Sequence, residues 1–393
     1  MTEGGAAGAA FIAPGATLGV LGGGQLGRMF AQAAQSSGYA VAVLDPDAAS
    51  PAGRIAHEHI EAAYLDAQGL ARLADVAAAI TTEFENVPAS ALERLAARRP
   101  VYPGAESVAT CQDRAAEKAA FRRCRVPCAP HMLIDSGHDL EKVDATLLPG
   151  ILKTARLGYD GKGQRRVANR RELGPAFADL GRVACVLEKA LPLVAELSVI
   201  LARGRGGAIV HLPVQENVHR DGILAVTRVP AESVSPLQQA EALACASRIA
   251  EALDYTGVLC VEFFVLADGS LIANEMAPRP HNSGHYSIDA CDVSQFDLQV
   301  RVMTGAPLVP PRLHSPARMI NLLGDLWFRD GTDPVEPDWQ RLLQLPGMHL
   351  HLYGKHEARR GRKMGHLTVT ASTAAVADAV ARDAARRLGI EEW

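Results

Sequence analysis

The chain has 393 residues, with 40 Lys plus Arg against 44 Asp plus Glu and a formal net charge of −4. This length suits two or three domains, and 48% hydrophobic residues is ample for packed cores, which excludes a largely disordered chain. The mild acidity gives no support to a protein that coats nucleic acid or a membrane surface, and no apolar run is long enough for a transmembrane helix.

Residues 1–16 are rich in small side chains and carry no Lys or Arg. A secretory signal needs a basic start and an apolar block, so this stretch reads as a frayed, disordered tail on a cytoplasmic protein. Thr17 to Leu21 reads as a strand that enters Gly22-Gly23-Gly24-Gln25-Leu26-Gly27. A helical pattern follows, with Leu26, Met29, Phe30 and Ala33 on one face, and Gly38 stops it. Ala40 to Leu44 and Ala77 to Thr82 read as further strands, which makes 17–113 a Rossmann-like parallel α/β domain. Asp113 to Arg123 reads as a helix. From about residue 150, short strand-like runs joined by glycine turns predict a small antiparallel domain spanning 114–207. Ser235-Pro236 with Gln238 is a capping-box start for a helix to about Leu253, inside a larger mixed domain spanning 208–393. The seven cysteines are odd in number and scattered, as expected for reduced thiols in the cytosol.

Three motifs carry chemistry. Gly22-x-Gly24-x-x-Gly27 between a strand and a helix fits a dinucleotide fingerprint, and Asp45 lies 18 residues past Gly27, near where a ribose-binding acid belongs. Read alone, this motif points to an NAD enzyme, to another phosphate ligand, or to plain packing. Lys153 followed by Gly158-Tyr159-Asp160-Gly161-Lys162-Gly163-Gln164 is a basic, glycine-rich hairpin tip suited to phosphates. Asp268-Gly269 predicts a two-residue hairpin turn, and counting back from it sets Glu262 opposite Glu275. Opposed carboxylates repel, and a hard divalent cation such as magnesium between them removes that penalty. Pro278 to His285 is rich in donors. The run Lys355 to Lys363 reads first as a solvated basic loop, and His57-Glu58-His59 reads as alternation in an extended segment rather than a metal site.

Together these motifs resemble the ATP-grasp superfamily and, within it, the N5-carboxyaminoimidazole ribonucleotide synthetase family. The likeness rests on Gly24 to Met29, Gly158 to Gln164, Glu188-Lys189-Ala190-Leu191, His219 to Gly222, His281 to His285 and Gly361 to His366, and it spans most of residues 17–370. It implies an ATP-grasp fold, with the central domain as a lid, and a purine-biosynthetic ligase. Such an enzyme carboxylates 5-aminoimidazole ribonucleotide with ATP and bicarbonate, through carboxyphosphate. By the same resemblance, ATP is held by Arg114, Lys153, Gly158, Tyr159, Asp160, Gly161, Lys162, Gly163 and Gln164 at its phosphates. Glu188, Lys189, Ala190 and Leu191 form the adenine hinge, Glu196 takes the ribose, and His219 and Asn274 lie beside the nucleotide. Glu262 and Glu275 hold Mg2+. The ribonucleotide faces Gln25, Leu26, Glu83, Tyr159, Lys162, Arg279, Asn282 and Ser283, with Lys355 and Arg362 near its phosphate. Asp160 is the candidate base, with Tyr159 and Lys355 as further catalytic participants.

The resemblance also implies a homodimer that passes its product to the mutase of the next step. In this family the first glycine turn faces the ribonucleotide. The related formate-dependent glycinamide ribonucleotide transformylases resemble Pro-Arg-Pro-His-Asp-Thr-Gly, where this chain has Asn282 and Ser283, and their phosphate loop lacks the pair at 159–160. Two other readings compete. An NAD-dependent oxidoreductase leaves Glu262, Glu275 and the 158–164 loop without a role. A non-catalytic nucleotide sensor has no need of Lys153, Glu262 and Glu275 together.

Overall fold

The structure, a computed structural model, describes residues 11–158, 161–328, 331, 333–391 and 393. Its first sheet is parallel, with strands in the order Glu58–Ile60, Ala40–Leu44, Thr17–Leu21 and Ala79–Thr82. Both faces are covered. Leu18, Val20, Val41 and Val43 pack under Leu26, Met29 and Phe30 of the Gln25–Ser36 helix. Leu21, Ala42, Leu44 and Ile80 pack under the Ala67–Val76 and Ala89–Ala96 helices. Near-continuous apolar strands are what a sheet buried on both faces requires. The expected frayed tail falls partly outside the described residues. Its last part is ordered, because Ile12 joins this core, donates its N–H to the Thr304 carbonyl (2.9 Å) and accepts from the Tyr39 hydroxyl (2.8 Å).

A second, antiparallel sheet runs His131–Ile134, Cys185–Lys189, Gly150–Thr154 and Gln164–Val167. It carries Lys153 and Glu188 on neighbouring strands. The expected central domain reached residue 207, but the chain leaves this sheet earlier. Leu193–Arg203 is instead an interior strand of a nine-stranded antiparallel sheet, paired with Gly257–Leu266 on one side and Gln215–Arg220 on the other. The reason is burial. Leu197, Val199 and Leu201 face the Pro236–Ala252 helix, while Ile200 and Ala202 face the Gln295–Thr304 helix, and all five are 0% exposed. The run Val199 to Ala202 is apolar at every position, which suits the middle of a large two-faced sheet, and glycine-turn texture does not register that difference.

The hairpin of Gly257–Leu266 and Leu271–Ala277 departs from expectation twice. Its turn holds three residues, since Leu266 N–H bonds to the Ser270 carbonyl (2.9 Å) with Gly269 at φ +83°. The register then shifts between Val261 and Phe263, whose partners are Met276 and Ala273. Glu262 therefore faces both Asn274 and Glu275 across a bulge. One residue lost at the turn and one gained at the bulge restore the expected Glu262–Glu275 opposition. A bulge leaves backbone groups unpaired. The Arg114–Arg123 helix supplies partners, with Glu117 Oε1 accepting from Met276 N (2.6 Å) and Lys118 Nζ donating to the Asn274 carbonyl (2.8 Å).

That helix is fixed at its start by Asp113, whose Oδ1 accepts from Ala115 N (2.9 Å) and Ala116 N (3.2 Å). Asp113 also pairs with Arg156, 60% exposed, at 2.9 Å. Asp113→Ala is expected to cost about 1 kcal/mol in urea unfolding, as loss of an N-cap does. Arg156→Ala is expected to cost under about 0.5 kcal/mol, as loss of a surface pair does.

Candidate active site

Two cavities, of about 560 and 430 Å³, share Arg114, Glu262 and Glu275 as lining residues. The larger lies between the second sheet and the nine-stranded sheet. Lys153, Gly161, Lys162 and Gln164 line its basic side. Glu188, Lys189, Ala190 and Leu191 line the strand end, and Glu196, His219 and Asn274 line the floor. Of the residues expected at ATP, Gly158 lines the smaller cavity instead, and Gly163 lies behind the loop, where an added Cβ would meet Thr154 Oγ1 at 2.7 Å. Tyr159 and Asp160 lie outside the described residues.

Charge in the larger cavity is paired. Lys153 Nζ donates to Glu188 Oε2 (3.0 Å), and Lys118 Nζ stands 3.2 Å from Glu188 Oε1. Burial alone would raise the Glu188 carboxyl, but Lys153 and then Lys118 hold it down to about 2. Burial pulls the Lys153 ammonium below its usual range, against the pull of Glu188. His219 Nδ1 stands 2.8 Å from Glu196 Oε2, which raises the imidazole against the effect of burial.

Glu262 and Glu275 differ sharply. Burial and then Glu275 push Glu262 up to about 7. Burial acts the same way on Glu275, but Arg114, whose Nη1 donates to Glu275 Oε2 (3.0 Å), keeps it below the ordinary range. Glu262 Oε1 and Asn274 Oδ1 are buried with no hydrogen-bond partner. Two such hard oxygen acceptors beside a second carboxylate fit Mg2+.

Gln25, Leu26, Glu83, Arg279 and Asn282, named above as candidate substrate contacts, come together on the wall of the smaller cavity. Arg279 Nε bonds to Glu85, and the Asn282 amide exchanges hydrogen bonds with Asn321 (2.9 and 2.6 Å). Of the described residues expected at the substrate, four do not line this cavity, and one of them, Lys162, lines the larger cavity instead. Ser283 is 0% exposed, and its hydroxyl meets His281 Nδ1 (2.9 Å), because its segment turns into the core. Lys355 Nζ turns back onto the Lys363 carbonyl (2.5 Å), and Arg362 Nη1 donates to the Glu357 carbonyl (2.9 Å). Their loop instead meets the first domain, where Arg54 donates to the Gly354 carbonyl (3.3 Å).

The first glycine turn holds carboxylates where a pyrophosphate would need amides. Asp45 Oδ2 accepts from Gly23 N and the Tyr64 hydroxyl, both at 2.7 Å, and Glu83 Oε2 accepts from Gly27 N at 3.2 Å. A Cβ on Gly24 would lie 2.5 Å from Glu83 Oε1. With those donors facing anions of the chain itself, the dinucleotide reading loses its basis.

Sequence reasoning missed Glu117, Lys118 and Lys363. Lys363 lines the smaller cavity, and its charge lowers Glu85 and Glu262. The Gly361–His366 motif contained it, but nothing in the motif showed which way it points. Also missed were His285, on the wall of that cavity, and the Asp289, His351 and His366 group behind it. His351 and His366 stack with centroids 4.5 Å apart and planes 12° apart. Imidazole lone pairs lie in the ring plane, so two parallel rings cannot both aim at one ion. Burial holds His285 and His366 well below the usual imidazole range, and they act as neutral packing.

The raised Glu262 gives a pH dependence. Its folded value of about 7 lies above the ordinary carboxylate value of 4.5, so its contribution to stability is full below about pH 4.5 and is lost as pH rises through about 7. Glu117, buried and also pushed up to about 7, acts in the same window. The buried neutral His281, His285 and His366 act in the opposite direction below about pH 6.5, so the test is a difference: as pH rises from about 5 to 7.5, metal-free Glu262→Gln should gain stability relative to metal-free wild type in thermal unfolding. A variant with the full wild-type slope would contradict this assignment.

Comparison with known proteins agrees with this geometry. Family profiles match the ATP-grasp domain over residues 119–296, the ribonucleotide synthetase preATP-grasp domain over 15–112, and the phosphoribosylaminoimidazole carboxylase C-terminal domain over 317–380. The N5-carboxyaminoimidazole ribonucleotide synthase of Brucella melitensis biotype 1 is 44% identical over 360 residues, covering 91% of this chain and 97% of that protein. The Bacillus subtilis protein of the same name is 41% identical over 358 residues, covering 91% and 92%. The crystal structure of N5-carboxyaminoimidazole synthetase from Staphylococcus aureus complexed with ADP matches with a TM-score of 0.88 at 38% identity, covering 97% of this chain and 99% of that one. The Aspergillus clavatus synthase in complex with ADP and 5-aminoimidazole ribonucleotide matches with a TM-score of 0.86 at 31% identity, covering 95% and 98%. With this fold, these two cavities and these relatives, the chain belongs to the N5-carboxyaminoimidazole ribonucleotide synthase family of ATP-grasp enzymes.

Proposed function

We propose that this chain is the ATP-dependent ligase that carboxylates the exocyclic amine of 5-aminoimidazole ribonucleotide to N5-carboxyaminoimidazole ribonucleotide in purine biosynthesis. ADP and phosphate are released. The observation that carries this reading is the pair of cavities sharing Arg114, Glu262 and Glu275, which offers room for a nucleotide beside a second substrate. ATP occupies the larger cavity, with its adenine at Glu188 to Leu191, its ribose at Glu196 and its phosphates at Lys153, Lys162 and Arg114. Glu262, Glu275 and Asn274 hold Mg2+, which when bound offsets phosphate charge as the phosphoryl group transfers. The ribonucleotide occupies the smaller cavity, against Gln25, Leu26, Glu83, Arg279 and Asn282.

Bicarbonate takes the γ-phosphoryl group to give carboxyphosphate, and the amine captures its carboxyl group, directly or as CO2. Phosphate leaves, and the amine gives up one proton. Asp160 takes that proton in this reading, assisted by Tyr159 and Lys355. The second sheet shields the reactive intermediate from water as a lid. By family resemblance the enzyme is a cytoplasmic homodimer, and a mutase consumes its product.

The primary test is ADP release with and without the ribonucleotide and bicarbonate. Release that ignores both would overturn the reading. Glu275→Gln should stay folded and lose ATP turnover by about a hundredfold or more, as expected when a cation ligand beside the phosphates is lost. Lys355 and Arg362 remain the candidate phosphate contacts, on the resemblance and on the approach of their loop to Arg54. An Arg–phosphate contact is worth roughly 1.5–3 kcal/mol, so Arg362→Ala should raise the KM for the ribonucleotide about ten- to a hundredfold and move that for ATP far less. Arg360, 62% exposed and 3.8 Å from Asp325, is the control, and equal effects of the two variants would remove the clamp.

A further inference from the structure

Glu188 is 3% exposed and sits between two lysines. Lys153 reaches Oε2 from the neighbouring strand at 3.0 Å. Lys118 reaches Oε1 from the Arg114–Arg123 helix at 3.2 Å and is 0% exposed. The two lysines differ in where they lie. Lys153 lines the larger cavity, whereas Lys118 stands behind its wall, tied to the Asn274 carbonyl at 2.8 Å.

One carboxylate needs one counter-ion. A second ammonium at the same carboxylate is surplus until another anion arrives, and only Lys153 is placed to meet an anion in the cavity. A buried carboxylate stripped of its partner is strongly disfavoured, because neither water nor a counter-ion then compensates it. We propose that Lys118 is a positioning residue whose charge keeps Glu188 compensated when Lys153 turns from it to the nucleotide phosphates. Lys153 can then be shared between Glu188 and ATP without leaving a bare buried anion. This inference rests on the larger cavity being the nucleotide site. Arg114 does not fill the role, because its guanidinium is engaged with Glu275 at 3.0 Å.

The test is a double-mutant cycle read by calorimetric titration of ATP with Mg2+. Lys118→Met in the wild-type background should weaken ATP binding about ten- to a hundredfold, because Glu188 then holds Lys153. Glu188→Gln, whose own effect on ATP affinity includes any loss at the adenine hinge, supplies the second background. On that background Lys118→Met should cost at least about tenfold less than it does in wild type, since no buried anion remains to compensate. The KM for the ribonucleotide should not move.

A strut that merely supports the bulge would cost the same in both backgrounds, and that result overturns the proposal. Wild-type affinity in Lys118→Met also overturns it, and where Glu188→Gln binds ATP too weakly for titration the same cycle is read from the KM for ATP. If Lys118→Met does not fold by circular dichroism, Lys118→Gln, which keeps a donor for the Asn274 carbonyl, enters the same cycle with the same expected outcomes. Failure of wild-type protein to bind ATP would instead sink the nucleotide reading itself.

Discussion

The opposition of Glu262 and Glu275 across one bulge is the constraint from which the site follows. Both carboxylates arise on largely apolar strands, the Glu262 side chain only 12% exposed and that of Glu275 42%. Like charges placed there repel and pay for lost water as well. The protein answers asymmetrically. Arg114 keeps Glu275 ionised, and Glu262 is left without a hydrogen bond at Oε1 and with a raised proton affinity. One carboxylate is therefore held ready as an anion, while the other holds its proton more tightly than an ordinary carboxyl and would release it more readily beside a cation.

The same economy of charge runs through the neighbouring elements. The bulge that turns Asn274 and Glu275 toward Glu262 leaves a carbonyl and an N–H without ladder partners. Two consecutive residues of one helix, Glu117 and Lys118, supply them. That helix also carries Arg114, so a single capped element sets the guanidinium, the ammonium and the carboxyl that organise the cavity floor. Displacing it would disturb the acidic pair and the Glu188 cluster together.

Local pattern was legible in the sequence wherever a residue type has a local physical meaning. Ser235 with Gln238 marks a helix start, and the capping box forms. The glycine turn marks a strand–helix junction, and it forms. What was not legible depended on neighbours remote in sequence. Strand Leu193–Arg203 joined the large sheet because both its faces are covered by distant helices. The amides of the glycine turn looked free in the sequence, yet Asp45 and Glu83, 22 and 56 residues away, occupy two of them. The acidic pair was found through two errors of register that cancel, since neither the longer turn nor the bulge has a strong local signature. Lys118 and Lys363 were missed because a lysine on a helix or strand announces a solvated face unless its direction is known.

The arrangement also explains why the two cavities share their acidic edge. Arg114 and Glu275 neutralise each other, and both line both cavities. On the proposed assignment, an anionic nucleotide carrying a cation would offer each of them a new partner, the phosphate for Arg114 and the cation for Glu275. Lys153 and Glu188 would stand in the same relation, with Lys118 also within 3.2 Å of Glu188. Binding then exchanges charge pairs without creating unpaired charges, which keeps the electrostatic cost of filling a buried polar site low. Because the exchange happens at residues that also border the second cavity, the field felt by a ligand there changes when the first is filled. On the proposed site assignment, any coupling between the two substrates would need no distant conformational relay, because Arg114 and Glu275 stand at the wall the cavities have in common.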